Sequence, residues 1–198
     1  MANGRVITGY SKPKIAQYVN TNGTISYTGR MALARGVNVS LSLETGDAVN
    51  FFADNVNAES AGGVFTGGTV TSVIDGLKDA ARKFAMGLPT ESTITVDSST
   101  VKVQDYDDRQ VIPYLGYGFI IRVMEEGVTS YIPYVLTKVI FDEDGLEAAT
   151  QGENIEFQTT ELTATVLRDD STNHRWRRIA EAQTTEAAAE AVLDALLS

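Results

Sequence analysis

A mainly β chain, folded as a sandwich or barrel, is the class that three observations predict. Short runs rich in Val, Ile, Thr, Tyr and Phe alternate with turn residues along most of the 198 residues. The stretch Val111–Asp142 reads as a long hairpin, with two apolar runs flanking Glu125, Glu126 and Gly127. Helical spacing is confined to two segments, about 76–87 and about 185–197.

The elements follow in order. After a polar N-terminal arm containing Gly4, Gly9 and Pro13, Asn22-Gly23 joins the runs Ile15–Val19 and Thr24–Tyr27 as a hairpin. Val37, Val39, Leu41 and Leu43 alternate with Asn38, Ser40 and Ser42, the pattern of a half-buried strand. Residues 44–68 are dense in Gly, Asp and Asn around one apolar run, Val49–Ala53, and predict a short strand inside a long projecting loop. Thr69–Ile74 is a strand that ends at Asp75, a residue able to cap a helix. Leu77, Ala80, Ala81, Phe84 and Leu88 then recur at helical spacing until Gly87 and Pro89 stop the helix. Thr93–Val96 and Val101–Val103 are short strands around Asp97, Ser98 and Ser99.

In the hairpin, Leu115, Tyr117, Phe119, Ile121 and Val123 share one face, a core face. The returning run is apolar at both parities, so something covers its second face: a helix of the same chain or a neighbouring subunit. Gly116 and Gly118 lie together opposite the core face and imply close approach by a backbone or a ring. Beyond it, Ile155 and Phe157 sit on odd positions and Leu162, Ala164 and Val166 on even ones, which predicts a break near Thr159. A polar turn and the cationic run His174–Arg178 precede a helix capped by Thr184 or Thr185. That helix has an acidic stripe of Glu186, Glu190 and Asp194 and an apolar one including Leu193 and Leu197. The expected division is a β domain at 1–168 and a C-terminal extension at 169–198.

Composition excludes several chemistries. There is no cysteine, hence no thiol nucleophile, disulfide or thiolate metal site. The single histidine, His174, stands among three arginines that disfavour the imidazolium a catalytic triad builds up. Asp142, Glu143, Asp144 and Gly145 lack the remaining ligands of a calcium loop, and Asp105, Asp107 and Asp108 have Arg109 at hand to neutralise them. No enzyme activity, metal or cofactor is expected. A net charge of −10 argues against specific DNA binding. The leading stretch lacks the apolar core of a signal peptide and no run reaches membrane-spanning length, so a cytosol-like compartment and no membrane are expected. Arg175, Trp176 and Arg177 read as a subunit contact, since Trp and Arg are enriched at interface hot spots, the alternative being an exposed edge whose arginines pair with surplus carboxylates and whose Trp176 is a packing anchor. Tyrosines at 10, 18, 27 and 106 motivate a different class, a carbohydrate-binding β-sandwich.

The phrases NGRVITGYSKPKIAQY, ALARGVNVSLSL, FFADNVNAES, GGTVTSVIDGLKDAARKFAMG and GYGFIIR followed by YIPYVLTKVIF occur in an order that resembles the major tail proteins of long-tailed, non-contractile bacteriophages. The resemblance runs over roughly Ala2 to Leu167 and carries no catalytic motif. It implies a tail-tube fold, two packed antiparallel sheets with a flanking helix, in a virion protein assembled in the host cytoplasm, whose hexameric rings stack into a tube around a tape-measure protein between initiator and terminator proteins. DNA would pass through the lumen without specific binding. By position, contacts between subunits or rings would fall on Val49, Phe51, Phe52, Asp54 and Asn55 of the long loop, on the N-terminal arm, and on Arg175, Trp176, Arg177, Leu193 and Leu197. Asp105, Asp107, Asp108, Glu125 and Glu126 are candidates to line the bore. Other tail or secretion-type tube and terminator proteins are the nearest alternative.

Overall fold

The computed structural model describes residues 4–143, 145–146, 148, 150 and 157–198, the side chains of Val49 and Asn57 excepted. Among the described residues twelve strands and two helices follow one another: β1 (Val6–Thr21), β2 (Thr24–Ala32), β3 (Gly36–Thr45), β4 (Val49–Ala53), β5 (Val56–Ala61), β6 (Phe65–Ile74), α1 (Asp79–Met86), β7 (Ser92–Val96), β8 (Ser99–Val103), β9 (Leu115–Glu125), β10 (Val128–Phe141), β11 (Thr160–Leu167), β12 (Arg177–Ile179) and α2 (Glu186–Leu196). Eight strands join one antiparallel sheet in the order β2-β1-β9-β10-β11-β6-β3, with β12 alongside β10. The pairs β4–β5 and β7–β8 form separate two-stranded ribbons.

The expected two sheets are thus one continuous sheet bent into two halves that pack as a sandwich. β10 makes the bend. One of its edges pairs with β9, with a register slip between Leu136 and Val139. The other edge pairs with β12 at Tyr134–Leu136 and then with β11 at Lys138–Phe141. Irregularities of this kind bend a strand and increase its twist. At the corner the buried Thr137 donates its N–H to the Trp176 carbonyl (3.2 Å) and its hydroxyl to the Arg175 carbonyl (2.8 Å).

Between the halves lies the main core. Leu115, Tyr117, Phe119, Ile121 and Val123 of β9 are all buried, as their alternation predicts. They share a cluster with Val70 and Ile74 of β6, Leu162, Ala164 and Val166 of β11, and Ala81, Ala85 and Met86 of α1. Three hydroxyls close a triangle inside it: Tyr10 Oη lies 2.7 Å from Ser72 Oγ and 2.7 Å from Tyr117 Oη, and Tyr117 Oη lies 2.8 Å from Ser72 Oγ. Burial pushes the Tyr117 phenol far above its ordinary pKa, so it stays neutral and its polar atom is satisfied within the core.

The expected N-terminal arm is the first half of β1, paired with β9 from Val6 onward. Register shifts between Ile7 and Gly9 and between Ser11 and Lys14 absorb the strand-breaking residues, and Lys12 adopts φ 54°. Proline has no N–H to give a ladder, so Pro13 is tolerated only at such an irregularity. The expected hairpin turns are present at Asn22-Gly23 (φ 52° and 84°) and Glu126-Gly127 (φ 50° and 81°), both residues of each turn being left-handed.

Helix α1 begins later than expected. Asp75 does not cap it; its carboxylate accepts from the Arg35 backbone N–H (2.9 Å) and pairs with the Arg35 guanidinium. Lys78 takes the cap position in extended conformation without a side-chain bond, and Gly87 (φ 61°) ends the helix. For α2, Thr185 is the cap, its hydroxyl accepting from the Ala188 N–H (3.2 Å).

Residues 169–198 contribute β12 to the sheet, and α2 supplies the missing cover of the second face. Ala189, Leu193 and Leu197 are buried against Ala16, Tyr27, Ile120 and Val135. A methyl added at Gly116 would lie 2.4 Å from Tyr27 Cε1, and one at Gly118 2.7 Å from Leu193 Cδ1, so both glycines are required by close approach. The acidic stripe docks on a cationic rim. Lys14 Nζ lies 2.8 Å from Glu190 and 2.6 Å from Asp194, Lys12 Nζ lies 3.0 Å from Glu190, and the Ser11 hydroxyl donates to Glu186 at 2.5 Å. Phe157 is exposed rather than a strand residue, while Asp144 and Ile155 lie outside the described residues.

Candidate assembly surface

The two ribbons carry the exposed apolar residues Phe51, Phe52, Val56, Ile94, Val96 and Val101. β4 and β5 are joined by Asp54 (φ 51°) and Asn55 (φ 64°), a pair that suits the tight turn matching strand twist. The expected loop with one strand is therefore a hairpin, and Asp54 and Asn55 shape its tip. Successive residues point to opposite faces, which puts Phe51 on one face of the ribbon and Phe52 on the other, 62% and 64% exposed. Val56 at the tip is equally open. The ribbon's base is pinched where the Gly46 N–H donates to the Val64 carbonyl (2.9 Å). A methyl on Gly63 would fall 1.7 Å from the Gly46 carbonyl oxygen, so only glycine fits there. The side chain of Val49 lies outside the described residues.

Ribbon β7–β8 was not expected as a surface. Its tip is Asp97 (φ 47°) and Ser98 (φ 69°), and Ile94 pairs with Val101. One face carries Ile94, Val96 and Val101, each about half exposed, and the other Thr93, Thr95, Thr100 and Lys102. The alternation was visible in the sequence. What hid its character was that any half-apolar hairpin looks the same whether or not the rest of the chain covers it.

The C-terminal candidates lie elsewhere than expected. Leu193 and Leu197 are buried in their own chain and are not on a subunit contact surface. Trp176 stacks on Phe65 with ring centroids 4.4 Å apart, and the Arg177 guanidinium lies over the Trp176 ring, 4.5 Å from its centroid. Arg175 is bound to Asp169, whose side chain is fully buried, at 3.2 Å. These three residues brace the corner between β10, β12 and β6. His174 (φ 47°) belongs to the same turn, its N–H donating to the Ser171 carbonyl at 2.9 Å.

Nor are the acidic candidates one cluster along the chain. Asp105, Asp107 and Asp108 occupy the segment before β9, whereas Glu125 ends β9 and Glu126 lies in the turn after it. Asp107 is pulled down to about 2 by side-chain and backbone hydrogen bonds from Arg109. Glu125 pairs with Arg5 at 3.1 Å. Of the four tyrosines behind the carbohydrate reading, Tyr27 is buried, with its hydroxyl donating to the Thr137 carbonyl (2.8 Å), and Tyr10 belongs to the core triangle. Burial and the nearby Asp170 push Tyr18 up to about 12, as its phenol donates to that carboxylate at 2.8 Å. That leaves Tyr106 as the strongly exposed member of the set.

No protein-family model matches the chain, and no curated protein matches it significantly. Among the described residues no helix is long and apolar enough to cross a membrane.

Proposed function

We propose that the chain is a self-assembling structural subunit of a phage-type tail tube, and the observation that carries this reading is the β4–β5 ribbon. An isolated two-stranded hairpin is marginal in water, yet this one carries two largely exposed phenylalanines, Phe51 and Phe52. A neighbouring copy is the partner that gives such a ribbon a use. Two further features support self-association: β2 and β3 end the sheet, and each offers an edge able to accept a strand. The order of sequence phrases, from the N-terminal segment through the β9–β10 hairpin, supplies the specific form, hexameric rings stacked into a hollow tube within a virion. The two-sided apolar hairpin no longer counts as support, because α2 covers it.

In this reading the tube grows around a tape-measure protein between initiator and terminator proteins, and conducts DNA without binding it. Six chains of −10 give a ring of about −60, which lowers the affinity of phosphate for the wall.

Electron microscopy of the purified full-length chain tests the proposal. Rings or tubes are expected, and Phe51→Asp with Phe52→Asp is expected to abolish tubes without changing thermal unfolding of the subunit. Tubes from the double variant would remove the ribbon from the contact. A wild-type chain that stays monomeric at every concentration and salt would overturn the reading, and rings that never lengthen would redirect it to a terminator.

A further inference from the structure

The β4–β5 ribbon carries charge of one sign. No lysine, arginine or histidine occurs from residue 36 to residue 77, while Glu44, Asp47, Asp54 and Glu59 fall on the ribbon and the strand end that leads into it. The Asp54 side chain, at the turn, makes no hydrogen bond or ion pair among the described residues. Ala53 pairs with Val56 across that turn, and alternation puts Phe51 on the same face as Ala53. The tip is therefore an acid set beside an apolar face, with Phe51 and Val56 each 62% exposed.

A cleft of about 850 Å³ lies at the other end of the same strand pair. The ribbon leaves β3 and β6 where Thr45 pairs with Phe65, whereas the cleft is bordered by Arg35, Gly36, Asp75 and Gly76, next to the pair Gly36–Ile74. The ten residues of β3 separate the two, about 30 Å at the usual rise of a strand. The cleft floor is small and apolar: Ala32, Ala34 and Gly36 line it around the fully buried Leu33, and a methyl added at Gly76 would meet nothing within 4 Å. Lys12 and Lys14 on its wall are held by Glu190 and Asp194 of α2. Two cations remain for an incoming carboxylate. Lys78 has no ion pair among the described residues, and Arg35, whose Nε is engaged by Asp75, has a side chain 90% exposed.

We propose that the ribbon of one copy seats in this cleft of a second copy, Asp54 reaching Lys78 and Arg35, and Phe51 with Val56 covering the small apolar floor. Complementary charge sets partner choice and register. Two other clefts suit an acidic ribbon less well. The one between β2 and α1 is apolar but has a single cation, Lys83, which already lies 3.8 Å from Glu91. The one beside β7–β8 sets Arg82 and Lys102 against as many carboxylates, Asp79 and Glu91. Because ribbon and cleft are different surfaces at opposite ends of the β3–β6 pair, the contact is heterologous and repeats along that direction. It stacks copy on copy, with an open ribbon at one end and an open cleft at the other. This inference rests on the self-assembly reading and adds to it which surfaces meet along the stack.

A chain without cysteine allows a direct test on the full-length protein. Ala53→Cys places a thiol at the ribbon tip and Ala32→Cys one in the cleft, and within one copy the length of β3 keeps them beyond the span of a short bifunctional maleimide. Treated at concentrations where the chain sediments as an assembly, the double variant is expected to give a ladder of covalent multimers, and either single variant at most dimers. Ala32→Cys combined with Thr95→Cys sets the background of random collision. Lys78→Glu, its fold checked by circular dichroism, is expected to weaken association about tenfold or more by setting like charges against each other. An assembled double variant that crosslinks no better than the Thr95 pair, or a Lys78→Glu chain that assembles like wild type, overturns the cleft contact while leaving the tube reading standing. A wild-type chain that never associates sinks both.

Discussion

Two glycines on β9 set how closely α2 can lie on the sheet. At Gly116 the nearest neighbour of an added methyl is the Tyr27 ring, buried and tethered through its hydroxyl to the Thr137 carbonyl, so it cannot swing aside. Gly116→Ala is expected to cost roughly 1–3 kcal/mol in denaturant unfolding, the usual penalty of overpacking. Asp169 shows the complementary dependence on a polar side chain. Its buried carboxylate accepts from the Ser171 hydroxyl (2.5 Å), the Arg175 N–H (2.8 Å) and the Ser171 N–H (3.2 Å). Asp169→Asn keeps the shape but loses the charge and turns one acceptor into a donor. A loss of about 1.5–3 kcal/mol is expected, the range for hydrogen bonds to charged groups. Unchanged unfolding would mean that the turn is held by packing alone.

At the scale of elements, α2 is a helix of eleven residues, too short to persist alone in water. Its stability comes from docking. Leu193→Ala is therefore expected to destabilise the isolated subunit by about 2–5 kcal/mol, as for other buried leucines. The ion pairs beside it make docking depend on pH. Hydrogen bonds from Lys14 and then Lys12 hold the Glu190 carboxyl below its ordinary 4.5, with Asp194 and Glu186 along the same helix face and Arg30 on Asp194. A depressed carboxylate contributes its full stabilisation above its unfolded pKa and loses it as pH falls through the folded value. Lys12, raised above 10.5 by Glu190, contributes below that value and loses its share as pH rises through the raised one. The protection of the α2 amides, taken relative to intrinsic exchange at each pH, is expected to fall below about pH 4.5, and Glu190→Gln should flatten that dependence. An identical acid profile in the variant would assign the change to another group.

For the whole molecule, the bend of one sheet into two halves encloses the main core, α2 covers the second apolar face of β9 and β10, and the ribbons stay outside. Under the proposed self-assembly, stability and association would therefore reside in different residues. Trp176→Ala is expected to lower subunit stability by about 2 kcal/mol or more through its lost stack on Phe65, which the loss of buried aromatic contact predicts. The Phe51 and Phe52 variants are expected to spare stability and affect assembly alone. A Trp176→Ala subunit that melts like wild type yet fails to assemble would return that residue to the interface.

Local rules in the sequence determined the strands with strict alternation, the turns Asn22-Gly23 and Glu126-Gly127, the glycine-dependent close approach on β9 and the two helices. Each depends on side-chain period or backbone freedom within a few neighbouring residues. Tertiary structure alone decided that α2, rather than a second subunit, covers the outer face. It also decided that Leu193, Leu197 and Trp176 pack inward, that Asp75 serves Arg35 rather than α1, and that bulges admit Gly9 and Pro13 to a central strand. Pattern tells that an apolar face must be covered, and says nothing about which distant segment reaches it first.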